Sequence, residues 1–106
     1  MQEITYEDFL KMNLVVGKII KAERLGNKII KLEVDIGNEI RVIAAGIAHY
    51  YKADEIIGKN VIIVENMRPK TIMGIESKGM LLACIDGDNA ALITTDKEVK
   101  AGTKVS

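Results

Sequence analysis

Apolar residues in this chain gather in short runs that read as strands, and only one stretch between them has a helical spacing. The first run, LVVGKIIKAERL from Leu14 to Leu25, is long and interrupted by Gly17, where a strand is expected to bulge or bend sharply. KIIKLEVDI and EIRVIAA follow, joined through Gly37-Asn38, a strong signal for a short hairpin, so the first three strands form a meander. From Ile47 to Ile57 the pattern changes to IAHYYKADEII and closes on Gly58, which predicts one or two helical turns ended by a glycine cap. NVIIVEN resumes as a fourth strand, and GMLLACI is a fifth run, expected to be buried, that stops at the turn Asp86-Gly87-Asp88, with the short apolar pieces ALIT and TKV beyond it. Ahead of the first strand, TYEDFLKM suits a brief helix with Thr5 as its N-cap, three residues before Asp8.

Three strands, a helical link and two strands, the first strand long and bent, match an all-β, five-stranded Greek-key barrel of the OB type, in which the link plugs one end. The position of the single helical segment between the third and fourth strands favours this over other small β folds. With 106 residues, 48% of them hydrophobic, the chain reads as one domain over residues 1–106 with a single compact core. Segments 1–13 and 89–106 then stand outside the barrel as terminal elements. Their apolar residues (Ile4, Phe9 and Leu10; Leu92, Ile93, Val99 and Val105) have little core of their own, so a homodimer with an isologous interface is the expected place for them.

Other chemistry is narrowed by what the chain lacks. No apolar run approaches the roughly 20 residues of a membrane span, and MQEITYEDFL is acidic where a secretory signal would be basic, so no membrane is expected and the reading is cytoplasmic. One cysteine and one histidine allow no internal disulfide and no ordinary zinc site, and no cofactor is called for. Formal charge sums to zero, yet it is unevenly placed. Between Val15 and Lys31 stand Lys18, Lys21, Arg24, Lys28 and Lys31 against Glu23, whereas Cys84 to Glu98 carries Asp86, Asp88, Asp96 and Glu98 against Lys97. A mixed solvated surface is the plain reading of such a pattern.

OB barrels bind nucleic acid or oligosaccharide across one face, using the connections between strands one and two and between strands four and five. Here the second of these is NMRPKTIMGIESKG. It places Arg68 and Lys70 over the groove, while Asn66 and Ser77 offer neutral hydrogen bonds. The aromatic residues Tyr6, Phe9, Tyr50 and Tyr51 all lie outside the basic strands, so a stacking platform for bare single strands is missing and a ligand read through the shape of its backbone fits better.

The series EDFLKMNLVVGKI, LEVDIG, AAGIAHYY, IIGKNVIIVENMRP and MGIESKGMLLAC runs through nearly the whole chain. In that order and spacing it resembles the tRNA-binding domains found at the C-terminus of methionyl-tRNA synthetases. These also occur as separate subunits or stand-alone proteins, and they are related to the domain of endothelial monocyte-activating polypeptide. The resemblance implies an OB barrel, a homodimer built from the chain ends, and recognition of the tRNA elbow, its outer corner, by shape. It also implies a possible partner in the catalytic chain of methionyl-tRNA synthetase, and no catalytic residue. Carried over by residue, it implies backbone contacts from Asn66, Arg68 and Lys70, a hydrogen bond from Ser77 beside Lys78, and apolar contact or groove shaping from Met80. Two places depart from the family pattern. The connection LGNK between the first two strands is short, so only Lys28 matches a basic position there, and Lys70 follows Pro69 at once, with Thr71 where a basic residue is usual.

Plainer readings stand beside these. Ser77-Lys78-Gly79 also suits a turn, Met80 also suits a core, and Gly74 and Gly79 serve the backbone. His49 reads as a packed or half-exposed residue of the link, Cys84 as a small hydrophobe in a buried strand, and Asp86 and Asp88 as turn residues, since the other ligands of a calcium loop are missing. A non-catalytic tRNA-binding module leads. The alternative is a small export-type OB chaperone for unfolded polypeptide, whose relatives share the EDF and VGKI opening but lack GIESKGMLL. An enzyme using His49 with Cys84 or an aspartate comes last, because no third residue orients the pair.

Overall fold

A computed structural model describes residues 1–106. Helix α1 (Tyr6–Leu10) precedes nine strands: β1 (Leu14–Leu25), β2 (Ile29–Asp35), β3 (Ile40–Ala45), β4 (Asn60–Val64), β5 (Lys70–Ile72), β6 (Ile75–Ser77), β7 (Met80–Leu81), β8 (Ala83–Asp86) and β9 (Asn89–Leu92). Five of them form one antiparallel sheet in the order β3-β2-β1-β4-β7. The sheet curls until β3 meets the segment leading into β7, where the Lys78 N–H donates to the Val42 carbonyl at 2.9 Å and the Ala44 N–H donates to the Ser77 hydroxyl at 3.0 Å. This is the expected OB-type barrel.

Strand β1 can serve two neighbours because it is long. Its start pairs with β4, from Leu14 opposite Val64 to Lys18 opposite Asn60, and its remainder pairs with β2, from Lys18 opposite Asp35 to Leu25 opposite Ile29. Gly17 is needed at this crossing. A Cβ there would stand 2.5 Å from Val34 Cγ1 and 3.0 Å from Ile63 Cγ1, so the glycine admits two core side chains and does not mark a bulge. The register irregularity falls later, between Ile19 and Lys21.

In β2 the buried Ile30, Leu32 and Val34 alternate with Lys31 and Glu33, so one face fills the barrel and the other meets solvent. Strand β4 is buried on both faces, which is why NVIIV is continuously apolar after Asn60. Val61 and Ile63 point into the main core with Val15, Ile19, Ile30, Leu32, Val34 and Ile43. Each such side chain contributes about 1.5 to 3 kcal/mol on burial. Ile47, Ala48 and Ile56 close one end; they come from the predicted helical link, which forms a turn and then a 3-10 turn over Ala53–Ile56. Gly58, at φ +90°, ends it by donating its N–H to the Ile19 carbonyl at 2.7 Å.

The terminal elements have more core than their sequence suggests. Leu14, Val16, Ile62 and Val64, on the outer face of β1 and β4, are covered by Phe9, Leu82, Ile93, Val99 and Val105. The tail is held in place by backbone bonds, Val16 N–H to the Thr103 carbonyl at 2.9 Å, Gly102 N–H to Val16 at 2.7 Å and Val105 N–H to Leu14 at 2.9 Å. Helix α1 carries the expected capping box, with Thr5 Oγ1 accepting from the Asp8 N–H and Asp8 Oδ2 from the Thr5 N–H. These bonds hold the Asp8 carboxyl below its ordinary pKa, with the backbone bond from Thr5 first and Lys11 second.

The run GMLLACI differs from its prediction. It breaks at Leu82, after which β8 leaves the barrel and pairs only with β9. A two-stranded ribbon has little to cover its outer face, so Cys84 and Ile85 are exposed, and Cys84 is not the buried hydrophobe its neighbours suggest.

Candidate nucleic-acid interface

Between β4 and β7 the chain makes an excursion from Glu65 to Gly79, with Val64 opposite Met80 at its neck. Within it β5 and β6 form a hairpin, from Lys70 opposite Ser77 to Ile72 opposite Ile75, with Met73-Gly74 as a two-residue tip. Both tip residues have positive φ, 50° and 78°, as a type I′ turn requires. Sequence reading took this segment as a plain connection. The available signal was the alternation in TIMGIES, hidden because methionine occupies a place where Asn-Gly is the usual mark of such a turn.

The excursion carries five of the seven expected contact residues and Met80 stands at its neck, in three different conditions. Arg68 and Lys70 are exposed, and neither has a carboxylate within ion-pair distance. Lys78 is exposed but lies 3.5 Å from Glu76, and Met80 is 42% exposed, so it is not a core residue. Ser77 and Asn66 are tied into the fold by their side chains, Ser77 buried and Asn66 exposed. Ser77 is 4% exposed; its hydroxyl accepts from the Ala44 N–H and donates to the Gly79 carbonyl at 3.4 Å. Asn66 Oδ1 accepts from the Asn13 N–H at 2.8 Å and its Nδ2 donates to the Lys11 carbonyl at 2.7 Å, tying the approach to β1 onto the end of β4. Both side chains are engaged in building the excursion, Ser77 from a buried position and Asn66 from an exposed one.

Gly79 has φ +121°, and a Cβ on it would stand 3.3 Å from both Ile63 Cγ2 and the Val64 carbonyl, so the neck closes only on glycine. The seventh residue, Lys28, is exposed in the β1–β2 turn, where its carbonyl accepts from the Ala48 N–H at 3.0 Å. The hairpin tip reaches this turn, because Met73 Cε lies 3.3 Å from where a Cβ of Gly26 would be. Beneath the hairpin, against the outer face of β2 and β3, is an open cleft of about 460 Å³ whose lining includes Lys31, Arg41, Val42, Ile75 and Lys78. Lys31 and Met73 were not singled out as site residues in the sequence; only the curl of the sheet brings them to this place.

The basic first strand faces carboxylates across its own ladder, and Lys18 alone among its cations closes an ion pair. Lys21 stands opposite Glu33 and Lys31 opposite Glu23 across the β1–β2 ladder, and Arg24 Nε donates to the Gly26 carbonyl at 2.8 Å. Lys18 pairs at 3.1 Å with Glu98, a residue of the acidic stretch. The hydrogen bond from Lys18 lowers the Glu98 pKa, aided by one from Asn60 and by the Lys18 charge. Arg41 is held by Glu39 at 2.6 Å and by the Glu65 carbonyl at 2.7 Å. Arg68 and Lys70, like Lys21, Arg24, Lys28 and Lys31, have no ion-pair partner, and their place on the projecting excursion sets them apart as an arrangement that suits a polyanionic backbone.

Residues 14–104 match the family described as "Putative tRNA binding domain". The chain is 50% identical over 107 residues to a methionine-tRNA ligase of Pyrococcus horikoshii, an alignment covering 99% of this chain and 15% of the ligase, so it spans a small part of that relative's length. Among solved structures, a MetRS related protein from Pyrococcus horikoshii superposes with a TM-score of 0.93 at 39% identity, covering 100% of both chains. The chaperone CsaA from Bacillus anthracis str. Ames superposes with a TM-score of 0.91 at 29% identity, covering 99% of this chain and 100% of that one. One fold therefore underlies both descriptions, and the surface chemistry has to distinguish them.

Proposed function

The chain belongs to the tRNA-binding domain family, and on that premise we propose that it is a non-catalytic module that grips the outer corner of tRNA by shape and so raises the tRNA affinity of a methionyl-tRNA synthetase. The observation that carries this reading is the excursion between β4 and β7, which holds Arg68 and Lys70 in solvent without ion-pair partners. Lys78 and Met80 border the same projection, and Lys28 approaches it from the β1–β2 turn. Ser77 supports the contact surface from behind, and Asn66, exposed at its start, is fixed by its bonds to Asn13 and Lys11.

The module works in the cytoplasm as an isologous dimer, beside or within a synthetase. Although the tails cover their own barrel, Ile4, Tyr6, Leu10 and Met12 around α1 remain exposed and suit a second copy. Light scattering at micromolar concentration is expected to give twice the chain mass of 11.7 kDa. A monomer at every concentration would remove the dimer and leave the tRNA reading standing.

Binding of several tRNAs, measured over a range of salt, tests the main proposal. Arg68→Ala should weaken all of them alike and make the slope of log affinity against log salt shallower by up to roughly one unit. A denatured polypeptide serves as competitor. If it displaces tRNA, or binds when tRNA does not, the chaperone reading suggested by the second structural neighbour replaces this one.

A further inference from the structure

Met73 combines an unfavourable backbone with an exposed apolar side chain. Its φ of 50° is the left-handed conformation that a long side chain rarely adopts, and glycine, asparagine or aspartate usually occupies this place in a type I′ turn. It is 62% exposed, so burial in a core does not account for it. Its side chain does have a neighbour. The Sδ and Cε atoms lie 4.0 and 3.3 Å from where a Cβ of Gly26 would stand. Gly26 is itself at φ +67° in the turn that joins β1 to β2. Any side chain on Gly26 would press on the methionine end, so the bare glycine leaves a seat for it.

We infer that Met73 is a latch that pins the β5–β6 hairpin across the outer face of β2 and β3, so that the Lys28 turn and the Arg68–Lys70 arm meet a ligand as one preset surface. This rests on the tRNA reading for its consequence, though not for its geometry. Backbone and hydroxyl bonds tie the hairpin to β3 only at its base, where the Lys78 N–H donates to the Val42 carbonyl and the Ala44 N–H to the Ser77 hydroxyl; beside the tip Ile72 and Ile75 are only half-buried. Without the tip contact, a short two-stranded hairpin over an open cleft has little to hold it closed. A flexible, polarisable thioether can fill the shallow seat over a glycine in a way that no polar turn residue can. Met73 is then a positioning residue, acting through the placement of the cations.

The test compares Met73→Gly with Met73→Leu in the full chain. Glycine relieves the backbone and removes the latch, whereas leucine keeps an apolar side chain at the same backbone cost. Amide hydrogen exchange on the RNA-free protein is expected to quicken in Met73→Gly at residues 26–28 and 72–75 while the barrel strands stay protected, and to stay near wild type in Met73→Leu. Affinity for unmodified tRNA should fall about fivefold in Met73→Gly, as a latched fraction reduced to about one fifth requires. Its salt slope should not change, because no phosphate contact is lost.

Unchanged exchange in Met73→Gly overturns the latch, whether tRNA affinity holds or falls; a fall without faster exchange would mean that Met73 touches the RNA directly. If the wild-type chain binds no tRNA, the functional reading fails, and the exchange comparison alone decides the latch. If Arg68→Ala weakens tRNA and Met73→Gly changes neither measurement, the functional reading stands and the latch falls.

Discussion

The barrel interior and the β4–β7 excursion are built on opposite terms. Inside the barrel, Ile19, Ile30, Leu32, Val34, Ile43 and Ile63 are almost wholly removed from water, and in β2 alternation with Lys31 and Glu33 specifies which way the strand faces. In the excursion only Ser77 is buried, the hairpin tip reaches the barrel through Met73 over Gly26, and Arg68, Lys70 and Lys78 stand in solvent. The first region supplies stability and tolerates little change. The second contributes little to stability and carries the chemistry, so the two should respond differently to substitution.

The sharpest separation should come from Ile63→Ala. Ile63 is 0% exposed at the centre of the main core, and its loss is expected to cost about 2 to 5 kcal/mol in denaturant unfolding. The fraction still folded should bind tRNA as before; selective loss of tRNA affinity at unchanged stability would break the division between the two regions.

Ser77→Ala lies on the boundary. It strands the Ala44 N–H at the seam between β3 and the excursion, at a cost of about 1 to 3 kcal/mol. Thermal melting should therefore register it, and tRNA affinity should fall only as far as the excursion loosens. If affinity falls with no change in melting, Ser77 reaches the ligand after all.

Arg68→Ala should move stability by no more than about 0.5 kcal/mol, as surface changes usually do, while producing the shallower salt slope described above. Equal loss of stability and affinity would mean that the arginine supports the fold. The smallest expected effect belongs to Glu98→Gln. Because Lys18 and Asn60 lower the Glu98 pKa, the pair stabilises the fold above the ordinary value of 4.5 and loses that contribution as pH falls through the depressed folded value. Both side chains are largely solvated, so the variant should only flatten the acid limb of a stability–pH curve, leaving tRNA binding at neutral pH intact.

The legible part of the molecule was the part governed by neighbours in sequence. The meander of β1 to β3, the Thr5–Asp8 capping box, the helical link ended by Gly58 and the continuous apolar β4 each depend on spacing within about a dozen residues, and each formed as its pattern predicts. The barrel followed from their order. Local pattern misled where burial came from elsewhere: Cys84 sits in an apolar run but on an uncovered ribbon, and the tails found a surface on their own β1 and β4 that their sequence does not reveal.

The candidate site was legible as a segment and illegible as a surface. Composition and the family series marked residues 66–80 and the cations in them. Which polar groups face outward was decided by partners far away in the chain: Ala44 for Ser77, 33 residues off; Asn13 for Asn66, 53 residues off; Glu98 for Lys18, 80 residues off. A polar side chain forms its hydrogen bonds with whatever the fold brings within about 3 Å, and that distance is set by closure of the sheet, not by separation along the chain. The sequence by itself determined the first four barrel strands, their order and the stock of charges; tertiary structure decided the β5–β6 hairpin, the departure of β8 from the barrel and which side chains find partners.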